Sequence, residues 1–264
     1  MPGRRLGQHF LIDQRILELI VEAGELGKED LVLEVGVGEG ALTEAMAHKA
    51  GWVVGLEIDP FLFSRARERL SVYPHVVLYQ GDFLRMNLPE IVRPFSAGRT
   101  KCIANIPYGI SSPFFLCLLR TTPEILWERF VVMVQKEFGE KLLALSLGGK
   151  GNPLSVGVHR VFSVERLFLV PPSAFRPNPK VFSLVLRGRR KKDPPWDFLP
   201  FLDFVFSAFR HRRKTLQAIL PETGHLPPEL KKKRAEDLTL EEWEKLWSIM
   251  RMGESNAEKH LGGG

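Results

Sequence analysis

The segment Asn105-Ile106-Pro107-Tyr108 combines groups that can hold a flat heterocycle by an amino group. The Asn amide oxygen and a neighbouring main-chain carbonyl can accept hydrogen bonds from an exocyclic amine, and the Tyr ring offers a face for stacking. The proline fixes the backbone φ angle, so that these groups converge. This pattern favours recognition of an amino group on a planar base, without a metal or a nucleophilic side chain. Taken alone, the tetrapeptide also fits an ordinary Asn-Pro type turn after a strand.

A glycine-rich segment, EVGVGEGA at residues 34–41, follows one apolar strand pattern and precedes a helical one. Glycines in such a turn let a ligand approach the backbone closely. Gly36, Gly38 and Ala41 match a dinucleotide-binding fingerprint. Glu57 supplies the acid that this fingerprint expects at the end of the second strand. A nicotinamide-dependent oxidoreductase is therefore one open interpretation.

Acidic residues near the ends of three strands favour S-adenosylmethionine instead. Glu34 lies two residues before the first glycine, where it would repel a pyrophosphate and attract a cationic amino-acid group. Glu57 ends the second strand, and Asp82 follows the third, within reach of an adenine amino group. S-adenosylmethionine carries a ribose diol, an adenine, an ammonium and a sulfonium, and this row of acids suits all of them. The seven histidines are scattered and form no H-E-x-x-H pair, so no metal site is predicted.

Alternating strand and helix patterns must position these residues. The alternation predicts a parallel sheet with helices on both faces, whose ligands bind beyond the carboxyl ends of the strands. A proline-rich connection between two late strand patterns predicts a terminal antiparallel hairpin. The predicted strands are Leu31–Val35, Trp52–Ile58, Val76–Gln80, Lys101–Ala104, Phe130–Val134, Leu167–Val170 and Val181–Leu186. The predicted helices of this part are one capped by Asp13, Ala41–Ala50, Phe61–Leu70 opened by Pro60, and Pro113–Leu119.

A chain break at Asp193-Pro194-Pro195 separates this pattern from a helical one. We therefore predict a domain of residues 1–192 and a second, helical domain of residues 193–264. The helical patterns beyond the break are Phe198–Phe209, a run around Lys214–Leu220, and Leu240–Met250.

Composition limits the class of protein. At 264 residues and 44% hydrophobic, the chain can bury a full core. The low count of two cysteines indicates a reducing compartment. The sequence has no apolar segment at its N-terminus and no apolar run of 18 residues, so we expect a cytoplasmic protein without a membrane span. The net charge of +6 and the pI near 9.4 fit a polyanionic partner.

Two basic clusters lie in the last third of the chain. The first reads RGRRKK at residues 187–192, and the second reads RHRRK at residues 210–214. Either one fits phosphate binding, although a solvated charged surface explains such runs equally well.

Taken together, the motifs resemble the KsgA family of ribosomal RNA adenine dimethyltransferases, whose relatives include the Erm resistance methyltransferases and the mitochondrial transcription factor B proteins. The resemblance spans nearly the whole chain, and the motifs occur in the family's order. They are GQHFL at 7–11, EVGVGEGALT at 34–43, EID at 57–59, GDFL at 81–84, NIPYGISSP at 105–113, VQKE at 134–137, PPSAFRPNPKV at 171–181 and FRHRRKTL at 209–216. The last two resemble the KsgA branch more than Erm.

The resemblance implies an α/β fold of the Rossmann-like class I methyltransferase type, with a mostly parallel sheet, a terminal antiparallel hairpin and a small all-helical C-terminal domain. It also implies that Tyr108 and Phe175 sandwich the target base. Asn105, which would accept hydrogen bonds from the target amine, and Pro107, which fixes the backbone there, complete the expected catalytic residues. The implied S-adenosylmethionine contacts are His9, Leu11, Gly36, Glu57, Asp82 and Asn105. The residues expected to bind RNA are Arg187, Arg189, Arg190, Arg210, Arg212, Arg213 and Lys214. The family usually has asparagine in place of His9, so the contact there would run through the backbone or an imidazole nitrogen.

The implied substrate is a pair of adjacent adenosines in the 3′-terminal hairpin of small-subunit ribosomal RNA, each dimethylated at N6. The expected partners are this RNA and small ribosomal subunit particles, with a role in small-subunit biogenesis, and the protein is expected to be a monomer. Two alternatives stay open beside the oxidoreductase. One is an Erm-like methyltransferase of large-subunit RNA, and the other is an RNA-binding assembly factor without catalysis.

Overall fold

The computed structural model describes residues 9–95, 99–191, 197–220 and 226–261. The chain divides into two compact units. The first comprises Met1–Glu140 and Phe162–Lys192, and the second comprises Lys141–Val161 and Asp193–Gly264.

Strands and helices alternate along the first unit, and helices dominate the second. The strands are β1 (Phe10–Leu11), β2 (Asp30–Val35), β3 (Trp52–Glu57), β4 (Val76–Gln80), β5 (Arg99–Asn105), β6 (Trp127–Gln135), β7 (Phe162–Val170), β8 (Phe175–Arg176) and β9 (Ser183–Arg190). The α-helices are α1 (Gln14–Ala23), α2 (Ala41–Ala47), α3 (Pro60–Arg69), α4 (Leu88–Val92), α5 (Ser111–Arg120), α6 (Lys136–Leu143), α7 (Pro153–Val161), α8 (Phe198–Phe209), α9 (Leu216–Ile219), α10 (Pro228–Lys231) and α11 (Leu240–Leu261).

A seven-stranded sheet forms the centre of the first unit, in the order β4-β3-β2-β5-β6-β9-β7. The pairs from β4 to β6 are parallel, whereas β9 pairs antiparallel with both β6 and β7. All residues of β2 are buried, as expected for a parallel strand covered on both faces. The mostly parallel sheet and the terminal hairpin are thus confirmed. A second, two-stranded sheet, β1 with β8, was not predicted.

Local signals in the sequence set the starts of two helices next to the sheet. The Asp13 side chain accepts hydrogen bonds from the backbone amides of Arg15 and Ile16 and so caps α1 as predicted. Asp59 caps α3 in the same way, and Pro60 occupies its first turn, where its missing N–H costs nothing. Helices α4, α6, α7 and α10 were not predicted. For α7, glycines interrupt the apolar pattern between residues 148 and 157.

A buried carboxylate connects three parts of the second unit. Asp197 accepts hydrogen bonds from Trp247 Nε1 at 2.6 Å, Arg251 at 2.9 Å and Arg160 at 3.1 Å. The Arg160 guanidinium also lies 3.6 Å from the centroid of the Phe201 ring, a cation–π distance.

These contacts change the predicted division of the chain. Arg160 and Val156 belong to α7, and Val156 packs in the apolar core of the second unit. Residues 141–161, which the sequence placed with the first domain, therefore belong to the second unit. The predicted break at residues 193–195 lies outside the described residues.

Gly188 in β9 leaves room for an aromatic ring from the neighbouring strand. A Cβ at this position would lie 2.1 Å from Cε1 of Phe130, which is fully buried. We expect Gly188→Ala to lower the free energy of unfolding by roughly 1–3 kcal/mol, because a packed ring cannot move aside without strain. Urea denaturation measures the change. Gly109→Ala is the control, since its Cβ would meet nothing within 4 Å; equal stability losses in the two variants would contradict this packing argument.

Candidate active site

A cavity of about 790 Å³ lies at the carboxyl ends of the parallel strands. The ends of β2, β3 and β5 contribute to its wall, together with the turns that follow them. Every residue predicted to contact the cofactor or the target base lines this cavity. They are His9, Leu11, Gly36, Glu57, Asp82, Asn105, Pro107, Tyr108 and Phe175.

Glu57 fixes the glycine-rich turn. Its Oε2 accepts a hydrogen bond from the backbone amide of Gly38 at 2.8 Å, and its Oε1 accepts one from the amide of Asp59 at 2.9 Å. Gly38 has a φ of +60°, a conformation that favours glycine, and its amide can therefore turn back towards the carboxylate. Burial raises the pKa of Glu57, and the backbone hydrogen bonds partly offset that rise.

Glu34 differs from its predicted role as a charged group. The side chain is 1% exposed, and Thr43 Oγ1 donates a hydrogen bond to its Oε2 at 2.5 Å. Burial raises the pKa of Glu34 to about 8. The carboxyl group is therefore largely protonated at pH 7, and the predicted attraction of a cation by a negative charge does not apply to this state.

Asp82 lies in the turn after β4, where backbone contacts hold it. The amide of Gly81 donates to the carbonyl oxygen of Glu57 at 2.8 Å, which ties this turn to the end of β3. Asp82 Oδ1 accepts a hydrogen bond from the amide of Leu84 at 3.1 Å. The two acids predicted to contact the nucleoside are thus brought to neighbouring strand ends, as expected.

Asn105 ends β5, and its side-chain amide is oriented by the chain around His9. Asn105 Nδ2 donates to the carbonyl oxygen of His9 at 3.4 Å. This orientation leaves Oδ1 as an acceptor at the cavity wall. The His9 imidazole lies against other groups: its Nδ1 is 2.7 Å from the carbonyl oxygen of Pro177, and its ring centroid is 5.7 Å from that of Tyr108. Because a carbonyl only accepts, Nδ1 carries a proton.

Tyr108 is anchored by a residue that the sequence did not single out. The Tyr108 hydroxyl lies 2.8 Å from Ser183 Oγ, in a hydrogen bond between the two groups. Burial raises the pKa of Tyr108, so the phenol stays protonated at neutral pH. Ser183 begins β9, 75 residues further along the chain. Only the antiparallel pairing of β9 with β6 brings it here, so no local signal in the sequence could have identified it.

Phe175 lines the cavity but does not present an open ring face. It pairs with Leu11 between β8 and β1, and it is 1% exposed within the core. The sandwich of a base between Tyr108 and Phe175 stays a prediction, and it requires the Phe175 ring to be uncovered.

The first basic cluster is largely engaged within the protein. Arg187 pairs with Glu165 at 2.8 Å, and Arg189 pairs with Glu25 at 2.6 Å. Nε and Nη1 of Arg190 are buried without a hydrogen-bond partner among the described residues, and this burial lowers the pKa of the guanidinium. Ion pairs and burial thus reduce the positive charge that Arg187, Arg189 and Arg190 can present to RNA phosphates. Lys192 of this cluster lies outside the described residues.

The second basic cluster is exposed. It follows the end of α8 in the second unit. Its predicted RNA-binding members form no ion pair with another described residue, in contrast to the first cluster. They are Arg210, Arg212, Arg213 and Lys214.

In the part of the chain that the structure describes, no group of three or more His, Cys, Asp or Glu side chains is placed to hold a metal ion. Among the same residues, no helix combines the length and the apolar character needed to cross a membrane.

The strand order, the terminal antiparallel hairpin and the cavity beyond the parallel strands define a class I methyltransferase fold. Residues 3–248 match the family described as ribosomal RNA adenine dimethylase. The chain therefore belongs to this family and is a ribosomal RNA adenine dimethyltransferase.

Individual relatives agree with this assignment. The chain is 40% identical over 256 residues to the ribosomal RNA small subunit methyltransferase A of Thermotoga maritima, covering 94% of this chain and 85% of the relative. A dimethyladenosine transferase from Plasmodium falciparum has a similar structure, with a TM-score of 0.76, 26% identity and coverage of 93% of this chain and 98% of that one. The 23S rRNA methyltransferase ErmE is also similar, with a TM-score of 0.69, 27% identity and coverage of 91% and 98%.

The raised pKa of Glu34 predicts a pH dependence of stability. Because folding favours the protonated form, this stabilising contribution is complete below pH 4.5 and is lost as pH rises through about 8. Between pH 5.5 and 8.5, the parent should therefore lose about 1–3 kcal/mol of unfolding free energy relative to Glu34→Gln, which cannot ionise. Urea denaturation of both proteins measures this difference. Glu29→Gln, at an exposed position, is the control; parallel pH profiles for the parent and Glu34→Gln would show that Glu34 ionises normally.

Proposed function

We propose that this protein uses S-adenosylmethionine to dimethylate N6 of two adjacent adenosines in the 3′-terminal hairpin of small-subunit ribosomal RNA. The observation that carries the proposal is the placement of the Asn105 amide and the Tyr108 ring in the wall of the same cavity as Glu57. The same cavity would thus hold the nucleoside of the methyl donor at Glu57 and the target amine at Asn105. The small-subunit substrate is supported by the name of the Thermotoga maritima relative. Such a substrate would place the activity in the cytoplasm.

The nucleoside half of S-adenosylmethionine fits the part of the cavity near β3 and β4. The Glu57 carboxylate keeps further lone pairs for the two ribose hydroxyls after accepting its two backbone hydrogen bonds. Asp82 stands at the neighbouring strand end, where it can accept from an adenine amino group. Apolar side chains complete this region: Ile58 and Phe83 both line the cavity beside these acids. When bound, the co-substrate supplies an electrophilic methyl group.

The other end of the cavity fits the target base. Adenine N6 is a poor nucleophile because its lone pair is delocalised into the ring. If Asn105 Oδ1 and the neighbouring main-chain carbonyl of Ile106 accept both N6 hydrogens, they favour a pyramidal nitrogen and direct its lone pair at the methyl group. The bond from Asn105 Nδ2 to the His9 carbonyl holds the amide in this orientation before the base arrives.

The reaction needs no strong general base. N6 becomes acidic once it is alkylated, and its proton can then leave to water. Positioning of the amine and the methyl group accounts for most of the expected acceleration. The second methylation requires space for the first methyl group, so the cavity beside Asn105 must be open on one side. Tyr108, held through Ser183, would stack on the base and fix its plane.

Methyl transfer to ribosomal particles tests both the function and the role of Asn105. The parent should transfer labelled methyl groups from S-adenosylmethionine to small-subunit particles that lack the modification. Asn105→Ala should reduce this transfer by at least about 100-fold, because the amine loses its acceptor and its alignment. Thermal unfolding shows whether the variant is folded.

Large-subunit RNA is the control substrate in this experiment. Methylation confined to large-subunit RNA would replace the proposal with an Erm-like function. Absence of transfer to either RNA would favour an assembly factor without catalysis. Near-parental turnover by Asn105→Ala would contradict the proposed activation of N6.

A further inference from the structure

The segment 176–182, which follows Phe175 and precedes β9, carries exposed groups that the proposed reaction does not use. We propose that it binds the RNA strand beside the target adenosine, with Phe182 stacking on a neighbouring nucleotide and Arg176 and Lys180 contacting phosphates. This inference rests on the proposed function, since it concerns the RNA that this function requires.

Phe182 is an exposed aromatic residue beside an exposed aliphatic one. Phe182 is 47% exposed, and Val181 next to it is 43% exposed. Single exposed apolar residues are common, but an adjacent pair directly before Ser183, which is hydrogen-bonded to the cavity residue Tyr108, indicates a surface that a partner covers. The backbone here is fixed, because the amide of Lys136 donates to the Phe182 carbonyl oxygen at 3.0 Å. The ring therefore projects from a held backbone.

Both ends of the segment are attached to the wall of the cavity. Ser183, directly after Phe182, is hydrogen-bonded to the Tyr108 hydroxyl. Near the other end, the Pro177 carbonyl oxygen lies 2.7 Å from Nδ1 of His9, whose ring neighbours that of Tyr108. A nucleotide that contacts this segment would thus be adjacent to the base held at Tyr108.

The cations of the segment are available to an external anion. Arg176 and Lys180 are exposed, and neither forms an ion pair with another described residue. Arg187 and Arg189 of the same unit are instead paired with Glu165 and Glu25. Arg176 and Lys180 therefore offer RNA more accessible positive charge than Arg187 and Arg189 do.

Single-stranded RNA fits this combination of groups. Chemistry on a base requires that base to leave its stack, so the neighbouring nucleotides lose a stacking partner at the same time. An exposed ring restores that stacking, and nearby cations hold the adjoining phosphates. Phe182 directly precedes Ser183, the residue that is hydrogen-bonded to the Tyr108 hydroxyl.

Substitutions at Phe182 distinguish stacking from general packing. Phe182→Ala and Phe182→Leu should both weaken binding of an RNA hairpin with two adjacent loop adenosines, by roughly 5- to 100-fold, because neither retains an aromatic face. Phe182→Trp should keep the parental affinity. Fluorescence anisotropy with labelled hairpin measures binding, and the KM for small-subunit particles should rise in parallel. Leu126→Ala, at a 60% exposed position before β6, is the matched control and should change neither.

The phosphate contacts are tested by salt dependence. The double variant Arg176→Ala with Lys180→Ala should bind the hairpin more weakly. The slope of log affinity against log salt should fall in magnitude by roughly 1.4, because each phosphate neutralised on a single strand contributes about 0.7 to that slope. Lys49→Ala, an exposed cation just after α2, should leave the slope unchanged.

The possible outcomes separate this inference from the proposed function. If the parent methylates small-subunit particles but Phe182→Ala binds and turns over RNA normally, the inference fails and the function stands. If Phe182→Ala also loses affinity for S-adenosylhomocysteine, or if Phe182→Trp is as weak as Phe182→Leu, the residue is structural and the inference fails. If the parent methylates no small-subunit RNA, the proposed function itself fails.

Discussion

Parallel pairing of β2 with β3 and with β5 is the constraint on which the site depends. The register aligns Val35 with Leu56 and Leu33 with Cys102, so these strands run side by side towards one edge. Glu57 and Asn105 are the last residues of β3 and β5. Groups that are 48 residues apart in the chain therefore line one cavity without any long loop to carry them.

Hydrogen bonds, rather than charge, organise the acids of this edge. The Glu57 carboxylate holds the amides of Gly38 and Asp59, and those two donors support its ionised form against the effect of burial. Glu34 accepts one hydroxyl hydrogen bond and is buried deeply enough to remain largely protonated at pH 7. Glu57 and Glu34 thus differ in their hydrogen bonding, because backbone amides donate to Glu57 and a threonine hydroxyl donates to Glu34.

The same arrangement prepares the amine end of the cavity. Asn105 is held through the His9 carbonyl, and Tyr108 is held through Ser183. Each functional side chain is therefore oriented by a partner from another strand or segment, which lowers the cost of aligning a bound base. His9, at the position where the resembled family usually has asparagine, contributes its carbonyl to this support and its imidazole to the Pro177 carbonyl.

Local signals were enough to predict most of the elements that carry the site, but not the sheet of β1 and β8, which holds Leu11 and Phe175. Apolar strand patterns, the Asp13 cap and Pro60 each depend on a few consecutive residues. The cap and the proline appear where the sequence indicated, whereas β7 begins at Phe162, before the predicted Leu167, and β9 extends to Arg190, beyond the predicted Leu186. The cavity residues at the ends of β2 to β5 were likewise predicted, because they end or follow predicted strands, whereas His9, Leu11 and Phe175 were predicted from the family resemblance. Roles that depend on burial or on distant partners were not visible. The protonation of Glu34 is one example, because it arises from tertiary packing. Distant partners account for another difference: Glu25, which pairs with Arg189, lies 164 residues before it, so the ion pair of Arg189 within the protein could not be read from the basic run. Residues 141–161 likewise join the second unit through Arg160, whose partner Asp197 lies 37 residues further on.

A crystal structure of the protein with S-adenosylhomocysteine tests the central claim most directly, namely that the strand ends form one site for nucleoside and amine. The account predicts the ribose hydroxyls within hydrogen-bond distance of the Glu57 carboxylate and the adenine beside Asp82. It also predicts that the sulfur faces Asn105, where the methyl group must be delivered. An adenosine moiety bound outside this cavity, or a ribose without contact to Glu57, would contradict it.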